Sequence, residues 1–502
     1  MRIAVAKGSD LFGTLQKQNI HISAFCGGKE KCGKCKVRLI SGVLPVTDEE
    51  RRLLTKEEVA AGIRLACCHK KCESDVLVQV EDVSDAVILG AEQEQYVTSR
   101  PEDGLGIAVD IGTTTLAMAV IDLRDGHCVS ETKVMNPQRI YGADVINRIE
   151  ACQKYSVDKL QGMVLQEVGK VIRQVLSTGQ KISRMVVCGN STMEHIFLGM
   201  DPRKLSEYPY VCEWEETQRI DSWALFGKLM ENIPSFPVIV MPNIAAFVGG
   251  DVVAGVTCTE LDRRDKVMLI DLGTNGEMAL SHEGVIYTTS TAAGPAFEGG
   301  NMVCGVASIP GAICRIQIDD EEVQYQILGT SSSDGNYRYG MADKVYPIGI
   351  CGSGYIEGIS GLLSHGMIDE TGYMEQDIEI EGEIRIVPAD IRNFQLAKSA
   401  IRSGINILCR KAGVSFKEIK EIYISGGFGK SANLAALINL KIIPKEFATK
   451  TRLLGNTALE GAIHVLLQDD DTRLSAIKAR SICIDLANDP DFPKEYMKNM
   501  YF

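Results

Sequence analysis

The chain has 502 residues, of which 45% are apolar and 24% are charged, and its formal net charge is −13. This length exceeds that of a single hydrophobic core, so the sequence predicts several domains of ordinary globular composition. The acidic balance argues against binding to nucleic acid or to an anionic membrane, because both require a basic face.

The first residues do not have the pattern of a signal peptide. Lys7 and Asp10 interrupt the stretch where such a peptide needs an apolar run, and no apolar run in the chain approaches about 18 residues. We therefore expect a cytoplasmic protein. In that setting the 16 cysteines indicate metal sites and buried thiols more than disulfides.

The sequence pattern changes three times along the chain. Residues 1–83 are cysteine-rich and end in a strand-like alternation, and residues 84–104 have the polar composition of a linker. Residues 105–470 alternate β-branched runs with amphipathic helical stretches, which predicts α/β layers. Residues 471–502 form a tail that we expect to pack on those layers.

Three cysteines share one glycine-rich segment near the N-terminus. Cys26, Cys32 and Cys35 follow the spacing C-x₅-C-x₂-C in AFCGGKEKCGKCKV. Three thiolates on one loop, with a fourth further along the chain, are typical of [2Fe–2S] ferredoxins. The alternative is a tetrahedral zinc site, although zinc ribbons usually contain two C-x₂-C knuckles.

The fourth ligand is ambiguous from spacing alone, because Cys67, Cys68 and Cys72 lie close together in the sequence. Ferredoxins typically place this ligand in an apolar-Ala-Cys triplet, and Leu65-Ala66-Cys67 therefore favours Cys67. A ferredoxin β-grasp also begins with two strands, whereas one strand pattern (2–8) precedes the helical stretch 10–19. We expect an N-terminal β-grasp ferredoxin-like module that lacks its first strand.

Two later segments repeat one pattern. GIAVDIGTTTLAMAVIDL (106–123) and KVMLIDLGTNGEMALS (266–281) both contain an apolar strand, an Asp, a Gly-Thr turn and a second strand. Such a turn suits backbone amides for phosphate and a carboxylate for hydrated Mg²⁺. The repeat predicts two related α/β subdomains, the second starting near residue 264.

A third glycine turn, YISGGFGKSAN (423–433), completes a series that resembles the actin, hexokinase and heat-shock-chaperone ATPase superfamily. The resemblance implies that Asp110 and Asp271 are the catalytic Mg²⁺-and-water carboxylates. It assigns phosphate to Gly112, Thr113, Thr114, Gly273, Thr274 and Asn275, and adenosine to Gly426, Gly427 and Gly429. It also implies two closely crossing helices, near 242–251 and 455–462, and closure of two lobes on ATP.

A ferredoxin module joined to an actin-like ATPase body resembles one family in particular, the reductive activators of corrinoid proteins. The resemblance implies ATP-dependent, one-electron reduction of an inactive Co(II) corrinoid to Co(I) on a partner methyltransferase or demethylase system. The implied cofactors are a [2Fe–2S] cluster, ATP and Mg²⁺. The implied partners are a corrinoid protein, a low-potential electron donor and a second copy of the chain.

The energetics of such a reaction favour a nucleotide-driven step. Co(I) is a strong reductant, so an electron that leaves a plant-type cluster near −400 mV has to climb roughly 2.3 kcal/mol per 100 mV. The corrinoid should lie on the partner, because the nearest match to a corrinoid-binding signature, Asp125 to Ser130, lacks the final glycine.

Other readings stay open at this point. A dehydratase activator is also an actin-like ATPase, but its cluster does not require the N-terminal cysteine loop. A zinc-containing, ATP-driven partner-binding protein and a sugar kinase are the remaining alternatives. For the glycine-rich segments 291–300 and 349–358, which contain Glu298 and Glu357, a functional role and a plain turn role are equally compatible with the sequence.

Overall fold

The structure is a computed structural model of the whole chain. It describes residues 1–18, 20, 22, 24, 26–80, 95–230, 233–319, 322–329, 346–427 and 432–502. The chain forms two compact units: unit 1 contains residues 1–213 and 219–239, and unit 2 contains residues 214–218 and 240–502.

The N-terminal module of unit 1 is a small sheet with helices against it. Its elements are β1 Arg2–Val5, α1 Leu11–Lys17, β2 Lys36–Ser41, α2 Asp48–Leu53, α3 Lys56–Ala60, β3 Ile63–Leu65 and β4 Val76–Gln79. The strands pair in the antiparallel order β1-β4-β2-β3. As predicted, a single strand precedes α1, which begins where the Asp10 side chain accepts the Gly13 amide.

The rest of unit 1 is a six-stranded mixed sheet with helices. Its elements are β5 Leu105–Ile111, β6 Thr115–Asp122, β7 Cys128–Met135, α4 Val145–Tyr155, α5 Val157–Ser177, β8 Ile182–Gly189, α6 Ser191–Phe197, α7 Arg203–Ser206, β9 Gln218–Asp221, α8 Ser222–Phe226 and β10 Pro237–Val240. The strand order is β7-β6-β5-β8-β10-β9. Strands β5 and β8 read as continuous apolar runs because they are buried within the sheet.

Unit 2 repeats this arrangement and adds further layers. Its strands are β11 Val267–Leu272, β12 Gly276–His282, β13 Val285–Thr291, β14 Ala312–Ile318, β15 Val323–Ile327, β16 Gly349–Ile350, β17 Ile378–Glu381, β18 Ile384–Ile386, β19 Glu421–Gly426, β20 Thr451–Leu453 and β21 Ser481–Cys483. Its helices are α9 Gly250–Cys258, α10 Gly352–Ser364, α11 Pro388–Lys411, α12 Leu434–Asn439, α13 Thr457–Gln468, α14 Asp471–Arg480 and α15 Phe492–Lys498.

The two large sheets have matching topologies. In unit 2 the strand order is β20-β19-β11-β12-β13-β21. In each unit an antiparallel hairpin, β5–β6 or β11–β12, lies beside a parallel strand, β8 or β19. Asp110 is therefore level with Cys188 of β8, and Asp271 is level with Ser425 of β19. The repeated sequence pattern correctly predicts two related α/β subdomains.

Helices α9 and α13 pack closely within unit 2, at the positions where the sequence has small residues. A Cβ atom at Gly461 of α13 would lie 2.0 Å from the Ala254 carbonyl oxygen of α9. A Cβ atom at Gly255 would lie 2.6 Å from the Leu269 side chain. Gly461 is therefore required by the close approach of the Ala254 backbone, whereas the neighbour of Gly255 is the end of a side chain.

The C-terminal residues are anchored in the core of unit 2. Phe502 is 1% exposed and its ring packs against Phe394, with the centroids 6.4 Å apart. The Lys398 side chain, from α11, is fully buried beneath this segment and donates to the Tyr501 carbonyl oxygen at 2.6 Å. Among the helices in the described part of the chain, none has both the length and the apolarity to cross a membrane.

The buried lysine predicts a pH-dependent stability. Burial, with repulsion from Lys441 and Arg402, lowers the pKa of Lys398 from 10.5 to about 7. Between these values the unfolded chain binds the extra proton, so this group makes the free energy of unfolding rise with pH, by at most about 1.4 kcal/mol per pH unit. Denaturant unfolding at pH 7 and pH 9 should show this rise in the wild type and a smaller one in Lys398→Met. Equal pH slopes would contradict the assignment.

Candidate cluster and nucleotide sites

The four predicted cluster cysteines form two pairs. Cys26, Cys32 and Cys35 lie on the loop before β2, and Cys67 lies on a 3₁₀ turn directly after β3. The Cys35 and Cys67 sulfur atoms are 3.2 Å apart. A hydrogen bond from the Cys32 thiol lowers the pKa of Cys26 to about 5, so these two thiols are also in contact.

The two other candidate thiols have different neighbours. Burial raises the pKa of Cys68 to about 12, and its thiol also contacts Thr47 and Cys67. Burial raises the pKa of Cys72 as well, with Asp10 as its charged neighbour. Of the three candidates for a fourth ligand, Cys67 is the one within 3.2 Å of Cys35.

The pairing of the thiols fits a two-iron cluster. A [2Fe–2S] cluster has two irons, each of which would be held by two protein thiolates, so the four cysteines should divide into two pairs. The described residues divide in this way, with one pair inside the loop and one pair between the loop and the turn after β3. Within the described ranges, no three His, Cys, Asp or Glu side chains converge on one ion.

A buried carboxylate supports the turn that carries Cys67. Glu50 is fully buried; its Oε1 accepts the Leu65 amide at 2.6 Å and lies 3.0 Å from His69 Nε2. Burial raises the pKa of Glu50, but the hydrogen bonds from His69, Thr47 and Leu65 outweigh it and lower the pKa below its ordinary value. The sequence analysis missed this residue, which is a capping-box Glu of α2.

In unit 1 the turn after Asp110 is held by its carbonyl groups. The Asn136 side chain donates to Gly112 O at 2.8 Å, and the Asn136 backbone N–H donates to Thr114 O at 2.8 Å. The Arg148 guanidinium donates to Thr113 O. Because the C=O and the following N–H of a trans peptide point in opposite directions, the amides of Thr113 and Thr114 are turned to the other side. All three carbonyl groups of the turn 112–114 are thus engaged by Asn136 and Arg148.

In unit 2 the corresponding turn lies among carboxylates and hydroxyls. Asp271 Oδ2 accepts a hydrogen bond from Ser425 Oγ at 2.8 Å, and Glu298 Oε2 accepts one from Thr274 Oγ1 at 2.6 Å. Burial raises the pKa of Asp271 to about 6, and the Glu298 charge adds to the rise. Glu298, whose role the sequence left open, therefore lies in this cluster, whereas Glu357 accepts a hydrogen bond from Asn433.

Two further acids enlarge this cluster, and the sequence analysis did not select them. Burial, followed by the charges of Asp251 and Asp271, raises the pKa of Glu277 well above its ordinary value. Asp251 lies in the first turn of α9, and Glu277 follows the turn 273–275 on β12. The acidic cluster of unit 2 is thus Asp251, Asp271, Glu277 and Glu298, four carboxylates linked through these charge effects. Mg²⁺ is commonly bound by one or two carboxylates together with phosphate and water, so it would not need three of these side chains to converge.

The predicted adenosine loop begins where β19 ends. Gly426 has φ +122°, and a Cβ atom there would lie 2.1 Å from the Leu272 carbonyl oxygen, so only glycine fits. A Cβ atom at Gly427 would lie 3.6 Å from Glu298 Oε1, which brings this loop beside the acidic cluster. The predicted Gly429 lies outside the described residues.

The corrinoid-like segment is part of a surface turn. His127 donates its backbone amide to Asp125 Oδ1 at 2.9 Å, in the turn between β6 and β7. This geometry is that of an ordinary Asx turn.

Family models match three consecutive parts of the chain. Residues 2–71 match a 2Fe-2S iron-sulfur cluster binding domain. Residues 105–264 match the model described as the RACo middle region, and residues 265–502 match the C-terminal domain of RACo, the ASKHA domain. These matches confirm the predicted fold class, a ferredoxin-like module followed by an actin-like ATPase body of α/β subdomains, and they support a [2Fe–2S] cluster over zinc.

Curated relatives extend over most of the chain. The chain is 30% identical over 433 residues to the corrinoid activation enzyme RamQ of Eubacterium limosum, covering 79% of this chain and 70% of the relative. It is 26% identical over 388 residues to a [Co(II) methylated amine-specific corrinoid protein] reductase of Methanosarcina barkeri, covering 72% of this chain and 70% of the relative.

A solved structure agrees with these relatives. The reductive activator for corrinoid, iron-sulfur protein superimposes with a TM-score of 0.69 at 26% identity, covering 100% of this chain and 96% of that chain. The thiol pairs, the two turns and these matches together place the chain in one family. It belongs to the reductive activators of corrinoid proteins.

Proposed function

We propose that this protein uses ATP to drive the one-electron reduction of an inactive Co(II) corrinoid to Co(I) on a partner methyltransferase or demethylase system. The observation that carries the proposal is the presence, in one chain, of two thiol pairs and an acidic, glycine-lined turn of the nucleotide-binding type. An electron-transfer site alone would not require the second feature. A sugar kinase would not require the first.

The acidic cluster of unit 2 is proposed to hold Mg²⁺ and the attacking water. Asp271 and Glu277 would supply the carboxylate oxygens, with Asp251 close enough to raise the pKa of Glu277. Ser425 fixes the Asp271 carboxylate by a 2.8 Å hydrogen bond. Mg²⁺, when bound with ATP, neutralises phosphate charge and orients the water.

Two turns are proposed to bind phosphate. Within unit 2 the turn is Gly273, Thr274 and Asn275, and within unit 1 it is Gly112, Thr113 and Thr114. The carbonyl contacts of the turn 112–114 support this role, because they leave its amides facing away from Asn136 and Arg148. Asp110 is the next-to-last residue of β5, as Asp271 is of β11 in unit 2. Gly426 and Gly427 are proposed to line the adenosine site.

The electron is proposed to pass through the N-terminal module. Cys26, Cys32, Cys35 and Cys67 would hold a [2Fe–2S] cluster, which supplies one electron at low potential when bound. Half-exposed Cys26 and Cys32 support access for a partner from the loop side. A low-potential donor would reduce the module in the cytoplasm, and the names of the relatives support a corrinoid protein as the acceptor.

The rate of ATP hydrolysis should depend on the presence of the partner corrinoid protein. We expect a Co(II) corrinoid protein to raise the rate of ATP hydrolysis, because a partner that binds the hydrolysis-competent state more tightly increases the population of that state. The measurement is phosphate release by the cluster-loaded protein with and without the corrinoid protein. Glucose and other simple sugars serve as the control. Stimulation by a sugar, with none by the corrinoid protein, would favour a kinase instead.

A further inference from the structure

The N-terminal module of unit 1 contacts the segment 137–150 of the same unit at three points. The Gln16 side chain, 5% exposed, donates to Ile140 O at 3.2 Å. Lys29 donates to Asn147 Oδ1 at 2.6 Å and forms an ion pair with Glu150.

The third contact involves the cysteine loop itself. Gly27, directly after Cys26, has φ +60°, and a Cβ atom there would lie 2.6 Å from the Tyr141 carbonyl oxygen. Only glycine permits this approach between the two backbones. A displacement of Tyr141 would therefore move Gly27, which is adjacent to the proposed cluster ligand Cys26.

Arg148 connects this contact to the turn 112–114. It lies on α4 between Asn147 and Glu150, and its guanidinium is fully buried. Nη2 donates to Thr113 O and Nε donates to Gly142 O at 3.2 Å. One planar group therefore joins the proposed phosphate turn to the residue that follows Tyr141.

Burying a guanidinium is costly unless its donors are satisfied. Gln138 Oε1 accepts from Nη1 at 3.3 Å, and Gln138 is itself fixed by donation to Leu160 O at 2.8 Å. The arginine is thus held in one geometry on both sides. A lysine could satisfy one of these acceptors but not all of them, because its ammonium lacks the planar fork.

We propose that Arg148 is a positioning residue that couples nucleotide binding at the turn 112–114 to the docking of the N-terminal module, and so to the surroundings of its cluster. The inference rests on the proposed function, because it needs phosphate at this turn. When the Thr113 and Thr114 amides bind phosphate, the carbonyl groups of the same peptides shift with them. One of these carbonyls, Thr113 O, accepts a hydrogen bond from Arg148. The path then runs through Gly142 and Tyr141 to Gly27 and Cys26.

A purely structural role for Arg148 makes a different prediction. If Arg148 only held α4 in place, its replacement would lower the free energy of unfolding and would have no effect that depends on nucleotide. The test therefore needs a readout at the cluster with and without nucleotide, in addition to a folding measurement.

The experiment uses the full chain with its cluster reconstituted, poised at a fixed solution potential and examined by electron paramagnetic resonance. We expect a saturating, non-hydrolysable ATP analogue with Mg²⁺ to change the ratio of reduced to oxidised cluster about fivefold in the wild type, the low end of typical coupling between sites. Arg148→Lys should lose this response at saturating analogue.

A charge swap at the docking contact provides a second, independent variant. Lys29→Glu places like charges against Glu150, and should weaken the response while analogue binding, measured by titration, stays unchanged. The pair is solvent-exposed, with 42% and 53% of the two side chains accessible, so a partial loss is expected. Lys29→Glu combined with Glu150→Lys should restore the response. This pair keeps the proposal testable if Arg148→Lys does not fold.

The outcomes separate this inference from the proposed function. Analogue binding without any cluster response in the wild type would overturn the coupling and leave ATP dependence intact. A wild-type response in both Arg148→Lys and Lys29→Glu would also overturn it. Failure of the wild type to bind the analogue would overturn both.

Discussion

Replacing Cys67 with serine is expected to abolish the visible absorption of the [2Fe–2S] cluster. Cys67 is the candidate fourth ligand whose sulfur lies 3.2 Å from that of Cys35, so its loss leaves one iron with a single thiolate. Anaerobic reconstitution followed by iron analysis and visible spectroscopy measures the result. We expect fewer than two irons per chain and no stable red-brown chromophore.

Cys72→Ser is the matched control, since it removes a thiol of the same turn region whose charged neighbour is Asp10. This variant should keep its iron and its spectrum. Cys68→Ser should behave in the same way, although its thiol contacts Cys67 and a small spectral shift is expected. Two irons and a wild-type spectrum in Cys67→Ser, with their loss in Cys72→Ser, would reassign the ligand.

Replacing Asp271 with asparagine is expected to lower the rate of ATP hydrolysis strongly and to leave the cluster intact. The amide keeps the shape of the side chain but loses the charge that Mg²⁺ requires, and removal of one such electrostatic contact lowers catalytic rates by about 10²–10³-fold. Phosphate release and the visible spectrum of the same sample are the two measurements.

Asp265→Asn provides the control for this experiment. Asp265 precedes β11, at the opposite end of the strand from Asp271, and is paired with His282 at 3.1 Å. It should retain full ATP hydrolysis. Unchanged hydrolysis in Asp271→Asn would show that another carboxylate of the acidic cluster carries the role, and Glu277→Gln would then be the next variant.

Local patterns in the sequence predicted much of the fold. The cysteine spacing, the Asp-Gly-Thr turns and the repeat of strand–turn–strand all depend on neighbouring residues, and these predicted the module, the hairpins and the two related subdomains. The single strand before α1 followed from the absence of a second strand pattern in residues 1–10.

The groups that support the sites were not predictable in this way. Asn136 and Arg148 hold the turn 112–114 from 24 and 35 residues away, and Glu50 supports Leu65 from 15 residues away. Their hydrogen bonds exist because the folded chain brings distant segments together, and no periodicity or motif spacing encodes such a contact. Asp251 joins Glu277 through the packing of α9 in the same manner.

The formation of Co(I) tests the central claim most directly. The cluster-loaded protein, a Co(II) corrinoid protein and an artificial low-potential donor are mixed anaerobically, and the Co(I) absorption is followed with MgATP, with MgADP and without nucleotide. The account predicts that Co(I) accumulates with MgATP alone. Equal accumulation of Co(I) in all three samples would contradict it.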